Sequence, residues 1–382
     1  MVWWAYLPMI FWCLWVFALG LAAGSFVNVL IARLPYEKSI IWPGSRCFSC
    51  FTPIRFTDNL PIIGYLRLRG KCRACGAKFS ARYLFVELGT GLAFVALFFV
   101  EVVLHATGGP DFLQPWHFTP GLQYSYFGAM PPLAAWVVFA VHAFLLAALI
   151  ASAVIDYQHR IIPPQITYVG TVVGILASTL FPWPWPTTDP LTLQRLADPH
   201  FMMMGAKVPL SWAGLEIPSG VTIWPFWGPQ FDWAPAGSHQ LGFLNGLVGA
   251  AVGMAIGRGI KLIFELGLGK EALGLGDADL LMMSGAFLGW QAIALALPVG
   301  AVLTLFVVVP LMIWSKLRGR PTETHLPFGP GIAAGVVCCW FGWPFFGKAV
   351  QAVFFDSFLL GFVALIMGGG MLIAGLFLRR SK

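Results

Sequence analysis

The chain has 382 residues, of which 58% are hydrophobic and only 10% are charged, and it carries a formal net charge of +7. A soluble domain typically has about 25% charged residues, so this composition excludes an ordinary water-soluble protein. The positive charge does not indicate a nucleic-acid partner, because it is concentrated in one loop. Residues 33–82 alone carry ten Lys or Arg against two acids.

Apolar segments long enough to cross a bilayer recur from one end of the chain to the other. About 20 apolar residues span the hydrocarbon core as a helix. The predicted segments are 8–31, 83–104, 133–155, 161–181, 241–263, 279–291, 293–314, 330–347 and 354–378. We therefore predict an all-α polytopic membrane protein with about nine transmembrane helices.

The positive residues occur in alternate loops, and this pattern predicts the orientation. No Lys or Arg precedes Arg33, many follow it, and the loop 105–131 has none. Because cytoplasmic loops are enriched in Lys and Arg, the N-terminus is expected outside, with loop 35–82 and the C-terminus inside. Contact with anionic lipid headgroups follows from the same charges.

The predicted spans divide the chain into regions. Residues 182–240 form an extracytoplasmic insertion that is rich in Pro and Trp and opens with alternating Pro and Trp, a pattern that cannot continue a helix. The regions are the first span 1–34, the cytoplasmic loop 35–82, the transmembrane core 83–181 and 241–346, the insertion 182–240, and an additional C-terminal span 354–382.

Four cysteines in the cytoplasmic loop have the spacing of a metal site. Cys47 and Cys50 form one CxxC pair, and Cys72 and Cys75 form a second. Two such pairs supply four thiolates for tetrahedral zinc. Redox pairing is the alternative, but disulfides rarely persist in the cytoplasm. The pattern predicts a structural zinc ion that stabilises a loop too short to have its own core.

Asp156 lies at the end of the third predicted span, directly after the apolar run 147–155. An ionisable side chain at membrane depth is costly and indicates a functional site. The alternative is a helix-end aspartate that is solvated or paired with Arg160. An anion at a helix C-terminus, however, opposes the helix dipole.

Asp277 follows Gly274 and Gly276 just before the sixth predicted span. The glycines permit a tight turn and a close backbone approach, and the alternative role is a helix N-cap. Asp279 is two residues further on, about 200° around a helix, so only one of the two can readily face Asp156. We select Asp277, because the glycines lead directly into it.

Both aspartates are expected on the cytoplasmic face, where they can form an acid/base pair. Like charges a few ångströms apart cannot both ionise easily, so one would donate a proton to a scissile carbonyl while the other activates water.

Two further polar residues lie near the predicted membrane boundary. Glu87 begins the second predicted span, where it pairs with Arg82, acts with the zinc loop, or has a polar helix-end role. Asn28 in the first span is expected to make a polar packing contact between helices.

Taken together, these motifs resemble the bacterial type IV prepilin peptidases, the bifunctional leader peptidase/N-methyltransferases. The matching stretches are 24–35, the two CxxC pairs with 58–61 and 66–72 between them, Arg82-Tyr83, 86–88, Asp156 with Ile162-Pro163, the GxGD element 274–277, and Pro327-Phe328-Gly329-Pro330.

The resemblance implies an integral aspartic endopeptidase of the bacterial inner membrane. Such enzymes remove the short basic leader of prepilins or secretion pseudopilins after a glycine, on the cytoplasmic side. They then methylate the new N-terminal amine, usually of Phe, with S-adenosylmethionine. The resemblance assigns catalysis to Asp156 and Asp277 and associates loop 35–82 with the methyltransferase.

The sequence departs from the family pattern at several points. Asp279 stands where the family commonly has Lys, and Pro164 stands where Asp often follows Ile-Pro. The insertion and the last span are additions.

Two other function classes fit parts of the sequence. One is a non-enzymatic membrane assembly factor with the zinc loop as a docking module. The other is a proton or ion transporter that uses the two aspartates as relay sites.

Overall fold

The structure is a computed structural model that describes residues 7–103, 133–181, 233–234, 238–269, 274–318, 327–355 and 357–380. The predicted loop 105–131 and nearly all of the insertion 182–240 lie outside the described residues. The α-helices are α1 Leu7–Arg33, α2 Ile63–Arg67, α3 Arg82–Phe98, α4 Leu133–His159, α5 Pro164–Leu180, α6 His239–Leu268, α7 Leu275–Leu288, α8 Trp290–Leu317, α9 Gly329–Phe355 and α10 Ser357–Arg380.

The described part of the chain is all-helical, as predicted, and contains no β-strand; two isolated β-bridges lie in the cysteine loop. Each of the nine predicted segments overlaps a helix. Among the residues that the structure describes, six helices are long and apolar enough to cross a membrane, so the chain is a multi-pass membrane protein. They run over Leu7–Tyr36, Arg82–Val103, Trp136–His159, His239–Gly267, Trp290–Leu317 and Phe358–Phe377.

The other three predicted spans correspond to shorter elements. Helix α5, Pro164–Leu180, and the apolar stretch Gly329–Gly342 within the 27-residue α9 both have fewer than 18 residues. Segment 279–291 falls mainly in α7, which has 14 residues.

Two compact units divide the described chain, one built from residues 7–103 and 133–155 and the other from residues 156–380. Helix α4 contributes most of its length to the first unit and its last residues, beginning with Asp156, to the second. Each unit has its own buried residues.

In the first unit, glycines allow α1 and α3 to pack with their backbones in close contact. A Cβ atom at Gly20 would lie 2.8 Å from the Cα of Gly91, and one at Gly24 would lie 2.7 Å from the Cα of Glu87. Small residues permit this approach in membrane helices. The packing fixes where Glu87 lies along α1.

In the second unit, α7 is the central helix. Every residue from Asp277 to Leu288 is buried, and α5, α6, α8 and α9 all pack against it. A side chain added at Gly249 or Gly253 of α6 would collide with backbone carbonyls of α7. Residues 277–288 of α7 are therefore enclosed by protein on all sides.

Candidate functional site

The four predicted zinc ligands converge in the first unit. The Sγ atoms of Cys47, Cys50, Cys72 and Cys75 all lie within 4.8 Å of one another. The Cys47–Cys75 separation is 3.8 Å and the Cys50–Cys72 separation is 3.9 Å. Four sulfurs placed tetrahedrally at the usual Zn–S distance of about 2.3 Å would be about 3.8 Å apart. The cluster therefore has the donor set and the size for zinc.

The local backbone folds each cysteine pair into a tight knuckle. The amide of Cys47 bonds the Thr52 carbonyl, and the amide of Cys72 bonds the Ala77 carbonyl. Hydrogen bonding to Thr52 lowers the pKa of the Cys50 thiol to about 6. A lowered thiol pKa favours the thiolate, which is the form that binds metal.

An ion-pair network at Asp58 holds the second knuckle to the rest of the loop. Arg73, beside Cys72, donates from Nε to Asp58 Oδ2 at 2.8 Å and from NH2 to Oδ1 at 2.6 Å. Arg67 of α2 pairs with the same carboxylate. Hydrogen bonds from Arg73 hold the pKa of Asp58 well below its usual range. Paired arginine–carboxylate bonds of this kind also fix orientation.

Glu87 contacts the cysteine loop, which is one of the roles considered for it. Its Oε2 accepts a hydrogen bond from the Ile62 amide at 2.7 Å. Ile62 has φ +58°, a conformation that is rare for a β-branched residue. The bond to Glu87 therefore ties a strained turn of the loop to α3.

Asn28 makes the expected contact between helices. Its Nδ2 donates to the Tyr83 carbonyl at 3.0 Å, which joins α1 to the start of α3. The residue is only 4% exposed.

In the second unit, Asp156 and Asp277 lie close enough for their charges to interact. Both are buried, with 7% and 8% exposure. Asp156 Oδ2 accepts from the Gly329 amide at 2.8 Å, and Asp277 Oδ2 accepts from the Gly274 amide at 3.0 Å. The packing of α7 against the turn after Asp156 brings the two residues together.

The glycines of the GxGD element have separate geometric roles. Gly274 is the N-cap of α7, so Asp277 occupies the third helical position and not the N-cap position considered from the sequence. A Cβ atom at Gly276 would lie 2.8 Å from Ile162 Cβ. Glycine at this position lets α7 pack closely against the turn after Asp156.

Asp279 is as buried as Asp277 but has a different electrostatic neighbour, Arg258 of α6. Its Oδ1 makes no hydrogen bond within the described chain. The separation of Asp277 and Asp279 around the helix, expected from their spacing, is what gives them different partners.

Sequence reasoning did not assign roles to Gly329, Arg258 or Ile62. Gly329 belongs to the late segment 327–330 noted above, and its amide is the partner of Asp156. The two residues are 173 positions apart, and no short-range spacing predicts a contact over that separation. The only signal in the sequence was that residues 327–330 match a segment of the family.

The fold and these residues define a class of protein. It is an all-helical multi-pass membrane protein with a tetracysteine cluster in one compact unit and buried, interacting aspartates in the other. Comparison with known proteins makes the class more specific. The family model of the bacterial peptidase A24 N-terminal domain matches residues 18–100, and no solved structure matches the chain.

Curated relatives extend the match over most of the chain. The prepilin leader peptidase/N-methyltransferase of Klebsiella pneumoniae is 30% identical over 288 residues, covering 74% of this chain and 87% of the relative. Those of Myxococcus xanthus (strain DK1622) and Pectobacterium carotovorum subsp. carotovorum are both 28% identical. They cover 85% and 84% of this chain, and 70% and 89% of their own lengths. The chain belongs to the prepilin leader peptidase/N-methyltransferase family, as the resemblance predicted.

Proposed function

We propose that this protein removes the leader of type IV prepilins or secretion pseudopilins and then N-methylates the new N-terminus. Family membership supports both activities. The observation that carries the peptidase is the pair Asp156 and Asp277, two buried carboxyl groups that interact and are each held by one backbone amide.

In the proposed cleavage, Asp156 and Asp277 share one proton. The ionised carboxylate takes a proton from water, whose oxygen attacks the scissile carbonyl carbon, and the neutral acid protonates the carbonyl oxygen. The carboxyl group that took the proton from water then protonates the nitrogen of the tetrahedral intermediate, while the other carboxylate takes a proton from one of its hydroxyl groups. The C–N bond breaks as the C=O bond re-forms, and the dyad again holds one proton. Burial strengthens these interactions because little water screens them.

The cysteine cluster and the methyltransferase activity form the second part of the proposal. Cys47, Cys50, Cys72 and Cys75 would hold a structural zinc ion. In the methylation, S-adenosylmethionine would supply the methyl group, its sulfur would keep the S–C electron pair, and the new N-terminal amine would lose one proton. Residues 35–82, with the start of α3, form the region that we associate with this step.

The proposed topology has nine spans in the bacterial inner membrane. The N-terminus lies outside, and loop 35–82, the aspartates and the C-terminus lie on the cytoplasmic side. The distribution of Lys and Arg supports this arrangement. The protease core then comprises 83–181 and 241–346, with the insertion 182–240 outside and the additional span 354–382 at the end.

The proposal is tested with the purified chain in proteoliposomes and a prepilin-like substrate. Asp156→Asn and Asp277→Asn are each expected to slow leader removal about 10²- to 10⁴-fold, because each removes one proton-transfer group. Asp279→Asn is the matched control: the substitution is the same, the residue is on the same helix, and its exposure is also 8%. We expect it to retain most activity, because Asp279 interacts with Arg258.

Two other outcomes would point to the other function classes. Normal processing by both the Asp156 and Asp277 variants would reject the dyad and leave the assembly-factor interpretation. Ion flux without cleavage would indicate a transporter. Mass spectrometry of the mature N-terminus tests methylation, and an unmethylated amine from a cleaving enzyme supplied with S-adenosylmethionine would remove that half of the proposal.

A further inference from the structure

The first unit contains a cavity of about 210 Å³ between α1, the start of α3 and the cysteine loop. A single water requires about 10–15 Å³ of such space, so the cavity has room for an organic ligand. Ser25 and Asn28 line it from α1, Tyr83 and Glu87 line it from α3, and Tyr65 and Phe79 line it from the loop. It belongs entirely to the first unit and includes neither Asp156 nor Asp277.

Asn28 brings an unused hydrogen-bond acceptor to this cavity. Its Nδ2 is satisfied by the Tyr83 carbonyl, but its buried Oδ1 has no partner among the described residues. A buried polar atom without a hydrogen bond costs about 1–3 kcal/mol. A ligand that donates a hydrogen bond to Oδ1 would remove this cost.

Glu87 adds a buried carboxylate to the same wall. Its Oε2 accepts from the Ile62 amide, and Ser25 hydrogen-bonds to the same side chain. Ile62 itself has a strained backbone with φ +58°, a cost that tends to occur at binding and catalytic sites. The side chains of Asn28 and Glu87 therefore offer acceptors and no cation, which suits a positively charged ligand group.

Cationic and aromatic side chains also line the cavity. Arg33, Arg46 and Lys71 are cations, while the Phe48 and Phe79 rings pack edge to face with centroids 6.0 Å apart. Arg33 is held in place by bonds to the carbonyls of Ser39 and Pro43. The lining of the cavity thus combines the acceptors of Glu87 and Asn28 with cationic and aromatic side chains.

We propose that this cavity is the binding site of S-adenosylmethionine. The positive ammonium and sulfonium end of this ligand would be held by Glu87 and Asn28. The ligand's carboxylate would be held by Arg46 and Lys71, and its adenine ring would pack on Phe48 and Phe79. The inference rests on the proposed methyltransferase function and deepens it, because it names the residues that bind the methyl donor.

Direct binding tests the assignment without depending on turnover. The purified full chain in detergent is equilibrated with tritiated S-adenosylmethionine by dialysis, with S-adenosylhomocysteine as competitor. We expect saturable, competed binding by the wild-type chain. Glu87→Gln and Asn28→Ala are each expected to weaken affinity at least about tenfold, since each removes an acceptor for a charged donor. Ala32→Phe, which adds a ring to a residue that lines the cavity, is expected to abolish binding.

Glu101→Gln is the matched control. Glu101 is another buried glutamate, and it lies in the π-helical turn directly after α3. It pairs with His142 at 2.7 Å and does not line the cavity. We expect it to bind the donor with wild-type affinity, and the same is expected of Asp156→Asn. The zinc content of each variant shows whether the cysteine loop is folded.

The outcomes separate the location of the donor from the function itself. Wild-type affinity in Glu87→Gln and Ala32→Phe, or no binding by the wild-type chain, overturns the assignment. If Ala32→Phe still methylates a cleaved substrate normally, the donor binds elsewhere and the proposed function stands. If the wild-type chain binds the donor in this cavity but never methylates, the methyltransferase proposal fails while the binding site stands.

Discussion

Replacing Gly329 by alanine is expected to slow leader removal about 10- to 100-fold, because the added methyl group displaces Asp156. A Cβ atom at this position would lie 2.7 Å from Asp156 Oδ2 and 3.0 Å from Asp156 Cβ, whereas ordinary contacts begin at 3.4 Å. The Asp156 carboxylate must therefore move by about 0.7 Å, away from the amide that holds it. A misplacement of about 1 Å at a reacting group costs about 10²-fold in rate.

The assay measures single-turnover leader cleavage with a prepilin-like substrate in proteoliposomes. Gly361→Ala is the control, since Gly361 also lies in a helix of the second unit. Apart from the adjacent residues and the nearby backbone of its own helix, no atom of the described chain lies within 4 Å of where its added methyl carbon would sit. Methylation of a substrate that is already cleaved is expected to remain normal in both variants. Wild-type cleavage by Gly329→Ala would refute the reasoning that the Gly329 contact positions a catalytic Asp156.

Three further predictions concern the packing around the two sites. Cys72→Ser is expected to reduce bound zinc from about one ion per chain to none, because a structural zinc site requires four protein ligands and only three thiolates remain. Metal analysis of the purified variant measures this, and full retention of zinc would contradict it. Asp58→Asn is expected to release zinc to a chelator about tenfold faster, since Arg73 loses its ionised partner. The lowered pKa keeps Asp58 ionised at neutral and mildly acidic pH, so the variant should release zinc faster than the wild-type chain by the same factor throughout that range. If the two release rates become equal under mild acid, the ion pair is not the cause. Gly276→Ala is expected to reduce cleavage about tenfold by pushing α7 away from Ile162, and unchanged cleavage would show that this contact does not set the geometry.

The helices could be predicted because the apolar segments are long and continuous, so that each predicted span overlaps a helix. The cysteine cluster could also be predicted, since each CxxC pair forms its knuckle from neighbouring residues. The angular step of a helix predicted that only one of Asp277 and Asp279 would face Asp156, and the preceding glycines favoured Asp277. The two residues do have different charged neighbours.

The remaining features depend on contacts between residues far apart in sequence. The Gly329 amide reaches Asp156 across 173 residues, and no periodicity encodes such a pairing. The Ile62 amide reaches Glu87 only because the loop adopts a positive φ at a β-branched residue, against its local preference. Asn28 was expected to pack between helices, and it does, but the unused acceptor on its oxygen became visible only when the partner of its nitrogen was known.

The length of α7 has a consequence for how lipid affects this protein. With 14 residues and a rise of about 1.5 Å per residue, the helix is about 21 Å long, whereas the hydrocarbon core of a bilayer is about 30 Å thick. If α7 is oriented across the bilayer, a helix this short with longer helices around it cannot reach both surfaces. One of its ends then lies below the bilayer surface. Bilayer thickness would then set the depth of Asp277 and the distance that water must travel to reach it. If Asp277 acts as proposed, the acyl-chain length of the lipid would change the rate of cleavage without any change in the protein.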